Sequence, residues 1–555
     1  MVLTAPERSG SAAAQGGGRQ AARVAAGILV TRILGYVRER VFAHYFGNEY
    51  AADAFRAALR IPNALRNLLG EGTLSASFIP VYTALNERDQ AAARSLAGAV
   101  LGLLLLGTAA LALAGIALAP ALATVLAPGF DAPTRRLTIT LLRLLFPMSG
   151  LMVVSAWCLG ILNTHRRFFL PYAAPALWNV AGIAALVAAG AWLVTPELPL
   201  GERMERLSLA LAWGTVAGSV LQVGVQLPTC WRLLGRSIAI RVTTATEGVR
   251  NVLGAWAPLV LGAGVAQISG LVDTVLGSLW GVGGVASLTY AQLVQVLPIS
   301  LFGVSVAAVA LPELSRDAAQ RMSEGTKGEA SGDVLRARVG TGFRRIAYFV
   351  LPSAFAFVAL GDYIIGALFE TGRFAAQDTA LVGGVLAAYG IGILWQGSLK
   401  LLSSGFYALR DTRTPVRIGV FSLAVSTGLA ALLMRVYGPA GIALGSSLGG
   451  ALNFVLLLRG LDRRLSGGEG RGRAGSGILD RALWRAVAIS VVAALAAAAA
   501  ASAAARWALP AGLAALPVGG LVLAIFGVTY LVLTLVLRHP DAASLWKLLR
   551  PSPAS

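Results

Sequence analysis

The sequence predicts an all-α polytopic membrane protein with about 14 transmembrane helices. Three observations predict it. Hydrophobic residues fill 56% of the 555 positions and charged residues only 13%, about half the charged share of a soluble domain. The apolar residues gather in runs long enough to cross a bilayer, and mean hydropathy is +0.72. The basic residues between the runs fall alternately on a rich side and a poor side. A soluble enzyme and a disordered chain are excluded. Helices are the spanning element, because each satisfies its own backbone hydrogen bonds in lipid.

In chain order, residues 1–20 are rich in Gly, Ala and Ser and read as a flexible cytoplasmic tail. The first two spans lie near 21–46 and 53–85 and carry most of the charges found inside spans. Spans three to six lie near 95–128, 137–162, 168–195 and 207–230, separated by Arg135 and Arg136, Arg166 and Arg167, and Arg203 and Arg206. Spans seven to ten lie near 251–279, 286–314, 346–369 and 378–408. Seven basic residues between Arg316 and Arg345 divide the eighth from the ninth. Spans eleven and twelve, near 418–434 and 441–458, flank Arg435. The Gly/Arg-rich stretch Ser466–Ser476 reads as a flexible linker to spans thirteen and fourteen, near 486–505 and 511–537.

With the amino terminus inside, the cytoplasmic segments hold 31 basic residues and the opposite side 7. That bias puts both termini in the cytoplasm. It also accounts for the net charge of +20, so nucleic acid is not an expected partner. No cofactor or metal site is expected. Cys158 and Cys230 lie in apolar segments, and His44, His165 and His539 are far apart. No phosphate-binding GxxxxGK[ST] loop and no catalytic Ser/His/Asp or Cys/His set is readable, so the chain is not expected to be an enzyme.

Spans one to six and seven to twelve read as two copies of one unit. Pro62 and Pro298 correspond at an offset of 236, and Gly160 and Gly405 at 245. Each pair of junctions runs from its glycine to a proline, Gly160–Pro171 and Gly405–Pro415. The predicted organisation is an N-lobe over 21–235, a C-lobe over 246–460, a cytoplasmic linker over 461–485, two extra helices over 486–538 and a cytoplasmic tail over 539–555. Six spans separate the copies, so they run parallel, and two facing lobes suggest a central cavity with alternating access.

Eight basic residues lie inside spans: Arg32, Arg38, Arg40, Arg56, Arg60, Arg66, Arg143 and Lys400. Six of them fall in the first two spans, with Glu39, Asp53 and Glu71 beside them. A lone Arg at the bilayer centre costs roughly 2.5–3.5 kcal/mol. The set must face a water-filled cavity, pair internally or reach an interface. Arg32 and Arg66 sit deepest and read as cavity-facing, with Arg38 intermediate. Arg40, Asp53 and Arg56 sit near helix ends, where snorkelling is a sufficient account. Arg32 and Glu39 are seven apart on one face, and an ion pair between them is an alternative. Asp53 is placed to orient an arginine across the hairpin. Several guanidinium groups together suit a diphosphate, because each presents a planar fork matched to phosphate oxygens. A cationic drug is disfavoured by the same charge. The second lobe offers Asp273, Gln292 and Lys400 as coupling or cavity residues, against simple interior pairing.

The run Thr31–Glu39 resembles the first helix of the MurJ (MviN) family of lipid II flippases. Ala52–Phe55, Pro62-Asn63 with Leu65-Arg66, Glu71-Gly72, Phe78–Pro80, Ala127–Phe130 and Ile161–Thr164 are similar to further motifs of that family. So are Pro175 with Asn179, Gln226–Pro228, and Phe406-Tyr407 with Thr414-Pro415. The resemblance covers about residues 21–460 and implies the fold of the multidrug/oligosaccharidyl-lipid/polysaccharide (MOP) exporter superfamily. It implies translocation of undecaprenyl-diphosphate-linked peptidoglycan precursor across the bacterial inner membrane. Lipid II, membrane lipids, and cell-wall synthesis and division proteins are the implied partners. It carries substrate-binding roles to Arg32, Arg38, Asp53 and Arg66, with Glu39 beside them, and a groove for the lipid tail to the last two spans. Two departures stand out. Where the family often has Tyr-Ala-Asp-Arg in the eighth span, this chain has Tyr290-Ala291-Gln292-Leu293. Ala430 and Met434 stand near the place of an Asn and Asp pair resembling a sodium site in some relatives. Other readings are a flippase for another polyprenyl-diphosphate glycan, a cation-coupled drug exporter and a non-transporting cell-wall scaffold.

Overall fold

The computed structural model describes residues 8–70, 72–193, 195, 197–235, 239–323, 329–465, 478–507 and 514–542. They are almost wholly helical, with no strand among the described residues. Eleven of the helices are long and apolar enough to cross a bilayer. The helices of the first, second and seventh predicted spans are not in that set, the first two because their charges interrupt the apolar windows. The chain divides into two compact units, Met1–Ser278 with Thr371–Arg373, and Leu279–Glu370 with Phe374–Ser555.

The first unit contains α1 (Arg8–Phe46), α2 (Tyr50–Leu69), α3 (Thr73–Arg88), α4 (Gln90–Ala117), α5 (Ala119–Leu126), α6 (Ala132–Thr164), α7 (Phe169–Ala173), α8 (Pro175–Trp192), α9 (Leu200–Leu234) and nearly all of α10 (Glu247–Trp280). Helix α1 starts at Arg8, inside the stretch whose composition reads as a tail; its Ala12–Ala14 run favours helix. The second predicted span is two helices, α2 and α3. The break falls at Gly70, whose N–H closes α2 on the Arg66 carbonyl at 2.9 Å, and at Gly72, with φ +83°. A side chain at Gly72 would be strained there. Glu71 lies outside the described residues.

Helix α6 is the central strut, packed against α2, α3, α4, α5 and α9. Trp157 is fully buried on it and donates its indole N–H to the Ala97 carbonyl at 3.2 Å. Gln222 and Gln226 of α9 both donate to the Ser155 hydroxyl, at 2.9 and 2.8 Å. Polar groups thus pair inside an apolar bundle, where an unmet donor costs roughly 1–3 kcal/mol. Asp89 and Asp131 cap α4 and α6 by accepting backbone N–H groups of the first turn.

The second unit contains α11 (Gly284–Pro298), a π-helical turn (Ile299–Val304), α12 (Ser305–Ser323), α13 (Glu329–Phe369), α14 (Ala376–Ala408), α15 (Arg413–Tyr437), α16 (Pro439–Leu465), α17 (Arg481–Trp507) and α18 (Ala515–Val536). Helix α14 lies at its centre, against α11, α12, α13 and α16. Helices α17 and α18 pair with each other and lean on α13. The predicted linker Ser466–Ser476 and residues 543–555 of the predicted tail lie outside the described residues.

The two junctions matched in sequence end their helices the same way. After α6, Arg167 N–H reaches the Leu162 carbonyl (2.8 Å), Arg166 N–H reaches Asn163 (3.0 Å), and Arg166 has φ +57°. After α14, Asp411 N–H reaches Phe406 (2.9 Å), Arg410 N–H reaches Tyr407 (2.9 Å), and Arg410 has φ +58°. Both are Schellman stops with an arginine in the left-handed position that glycine usually takes.

Candidate functional site

The arginine-rich hairpin of α1 and α2 folds around one carboxylate. Glu39 of α1 is 3% exposed, so its charge needs a partner. It has two. Arg38 donates through Nη2 to Oε1 at 2.5 Å. Arg56, from the facing side of α2, donates through Nη1 to Oε1 at 3.4 Å and through Nη2 to Oε2. One carboxylate between two guanidinium groups leaves a net charge of +1 in the triad.

Aromatic faces hold both guanidinium groups. Arg38 lies 4.1 Å from the ring centre of Trp178 on α8, and Arg56 lies 4.2 Å from that of Phe42 on α1. Such contacts stabilise by about 0.5–2 kcal/mol, more where water is excluded. Trp178 is brought there because α8 is tied to α1. Asn179 Nδ2 donates to the Thr31 carbonyl at 3.3 Å, and the Thr31 hydroxyl donates to the Tyr172 carbonyl at 2.9 Å. Arg56 is 9% exposed, whereas the Arg38 side chain keeps 19% of its surface open. Arg38 is therefore the member of the triad that can meet a ligand.

The other sequence-derived residues distribute around this triad. Arg32 is exposed and makes no ion pair among the described residues; the spacing-based pair with Glu39 is replaced by the pairs with Arg38 and Arg56. Two helical turns separate Arg32 from Glu39, about 10.5 Å of rise, while Arg56 reaches straight across the hairpin. Asp53 is 1% exposed in the first turn of α2. Arg66 is half-buried in its last turn. Arg60 lies against α10, where a Cβ on Gly270 would collide with its Nη2. A side chain at Gly270 would require the Arg60 guanidinium, the far end of a flexible side chain, to move aside. Asp273 is half-buried three residues further along α10, on the same face as Gly270. In the second unit, Gln292 donates to the Tyr389 hydroxyl at 2.9 Å, and Lys400 is exposed.

Sequence reasoning missed two residues. Arg56 reads as a snorkelling arginine, but the whole run Ala51–Leu59 is buried and its guanidinium turns onto Glu39 instead. Its small and apolar neighbours were the available signal. Trp178 had none beyond its place beside Asn179. Among the described residues, no group of three or more His, Cys, Asp or Glu side chains is arranged to hold a metal ion.

Long apolar helices in two units, with a cationic triad set into the first helical hairpin, define a multi-span membrane protein. A family model described as "Lipid II flippase MurJ" matches residues 42–517, and the chain belongs to that family. It is 33% identical over 442 residues to the lipid II flippase MurJ of Burkholderia cenocepacia, covering 79% of this chain and 82% of that protein. It is 34% identical over 444 residues to the probable lipid II flippase MurJ of Rhizobium tropici, covering 79% of each. A solved lipid II flippase MurJ in an inward closed conformation matches with a TM-score of 0.70 at 22% identity, over 93% of this chain and 98% of that one. An inward-facing MATE family transporter of the MOP superfamily matches with a TM-score of 0.60 at 17% identity, over 80% and 98%. The last two share the fold.

Proposed function

We propose that the protein is a lipid II flippase. It carries undecaprenyl-diphosphate-linked muropeptide from the inner to the outer leaflet of the bacterial cytoplasmic membrane by alternating access. Both termini lie in the cytoplasm, and the chain performs transport without bond chemistry. The Arg38–Glu39–Arg56 triad, in a chain of this family, is the observation that carries the reading. A net positive triad, with the exposed Arg32 about two turns away on the same helix, suits a diphosphate and repels a cation.

Arg32, Arg38 and Arg66 contact the diphosphate. Glu39 fixes the direction of Arg38, and Asp53 orients the second helix of the hairpin. Arg56 is a positioning residue: it takes up the charge of Glu39, so that Arg38 keeps its own for the ligand. Trp178 holds the Arg38 plane, which reduces the freedom lost when a phosphate binds. With Leu293 in the eighth span in place of an arginine, the cationic charge rests on the first hairpin.

The test is a membrane-impermeant label for outer-leaflet lipid II, in cells where this protein is the sole flippase and can be depleted. Labelled precursor is expected to fall while total precursor is retained. An unchanged outer-leaflet pool refutes the reading.

A further inference from the structure

Helix α14 carries a polar stripe that the diphosphate site does not use. Tyr389, Gln396, Lys400, Ser403 and Tyr407 fall within about 60° of one another around the helix axis. The first part of the stripe is already paired. Gln292 of α11 donates to the Tyr389 hydroxyl, and Gln295 donates to the Gln396 side-chain oxygen, each at 2.9 Å. Gln396 keeps its own Nε2 donors.

The rest of the stripe is open. From Gln396 to Ala408, only Lys400 and Tyr407 are exposed; Gln396, Leu399 and Ser403 are half-buried, and every other residue is buried. The Lys400, Ser403 and Tyr407 side chains make no hydrogen bond or ion pair among the described residues. Helix α14 is packed by α11, α12, α13 and α16, so this face is the one it leaves for a ligand. An ammonium, two hydroxyls and an amide need water or a polar partner beside them rather than hydrocarbon. The stretch from Gln396 to Tyr407 rises about 16 Å, which suits an extended ligand.

We propose that this face binds the peptide of the lipid-linked headgroup, with a peptide carboxylate on Lys400 and with Gln396, Ser403 and Tyr407 hydrogen-bonded along its amides. The inference rests on the lipid II reading and assigns a part of the substrate that the arginines of α1 and α2 do not take. A peptide carries the carboxylates, N–H groups and carbonyls that such a row can pair. An uncharged glycan would leave Lys400 without a counter-charge, and a cation is repelled by it. A phospholipid would set an acyl chain against a face whose one apolar member is Leu399.

The full-length protein in nanodiscs is titrated by thermophoresis with three ligands: a short-chain lipid II analogue, the same analogue with its peptide carboxylates amidated, and the matching polyprenyl diphosphate without glycan or peptide. Lys400→Met is expected to weaken binding of the first about fivefold, the upper range for an exposed ion pair, and to leave the other two unchanged. Amidation should weaken binding to wild type by the same factor. Lys400→Arg should keep most of the affinity, and Tyr407→Phe should lose about twofold, the low end for one hydrogen bond. Arg417→Gln, an exposed arginine on α15, should change nothing. Equal affinity of wild type and Lys400→Met for the lipid II analogue overturns the proposal. So does an equal loss for all three ligands, which would put a phosphate on Lys400, or an equal loss for the native and amidated analogues alone, which would put the glycan there. A wild type that binds none of the three overturns the lipid II reading itself, and the proposal with it.

Discussion

Replacing Arg56 by leucine removes one of two positive partners from a carboxylate that is 3% exposed. Glu39 then has Arg38 as its remaining partner in the triad, and the triad's net charge falls from +1 to zero. Stranding a buried ion costs about 3–5 kcal/mol when one partner is deleted. Arg38 limits that loss by turning wholly onto Glu39. A phosphate oxygen arriving at Arg38 then meets a guanidinium already neutralised. A hydrogen bond to a charged group contributes about 1.5–3 kcal/mol, which corresponds to roughly 10–100-fold in affinity. Arg56→Leu is therefore expected to weaken binding of a short-chain lipid II analogue by that factor. Adding Glu39→Gln removes the charge that Arg56 was balancing, and the double variant should recover to within about threefold of wild type. Neutral replacement of a whole buried pair is often tolerated, so the double variant should also regain thermal stability. Binding is measured by thermophoresis on protein in nanodiscs, and flipping by the outer-leaflet label. A double variant as weak as Arg56→Leu alone would mean that Arg56 acts only in packing α2, and the charge-balance reasoning would fail. Normal binding by Arg56→Leu would refute it more directly.

Three further outcomes follow from the same geometry. Trp178→Ala removes the ring beneath Arg38 and should weaken diphosphate binding by about 2–30-fold, the range of a cation–π contact, while Trp178→Phe restores most of it. Gly270→Ala puts a methyl group where the Arg60 guanidinium lies, and that flexible side-chain end can swing aside; the expected loss of stability is no more than the low end of overpacking, about 1 kcal/mol, read by thermal unfolding, and a larger loss that Arg60→Ala relieves would show that the guanidinium is held in place. Asp411, at the turn between α14 and α15, is pushed up by burial, but hydrogen bonds from Thr414, the charge of Arg464 and the Arg413 N–H outweigh that and hold it below the usual carboxylate range. Its folded pKa is depressed, so its stabilisation is complete above the unfolded value of about 3.9 and disappears as pH falls through the folded one. Asp411→Asn should lower the melting temperature near neutral pH and flatten its fall in acid; parallel curves for the two proteins would rule this out.

Much of this molecule is legible in one dimension because lipid constrains each span separately. A helix in hydrocarbon must be long, apolar and closed on its own hydrogen bonds, whatever its neighbours are. The runs near 95–128, 137–162 and 378–408 therefore announce themselves, and they correspond to α4 with α5, α6 and α14. The arginines that break this rule in α1 and α2 are legible for the same reason. The matched junctions at Gly160 and Gly405 could be read because a helix stop is also local, and both end in the same cap. The break at Gly70 and Gly72 was local too, but the apolar run across it masks the punctuation.

Pairing is a different kind of information. Helical spacing relates Glu39 only to residues on its own helix, and it nominates Arg32. The tertiary structure chooses Arg56, 17 residues away across the hairpin. It also sets Trp178 under Arg38 by tying α8 to Thr31. The sequence by itself determined that several charges must be kept from lipid, because the cost of exposing them depends on composition alone. Only the packing of α1, α2 and α8 decided which charge neutralises which, because a buried ion pair depends on distances that no spacing along one chain encodes.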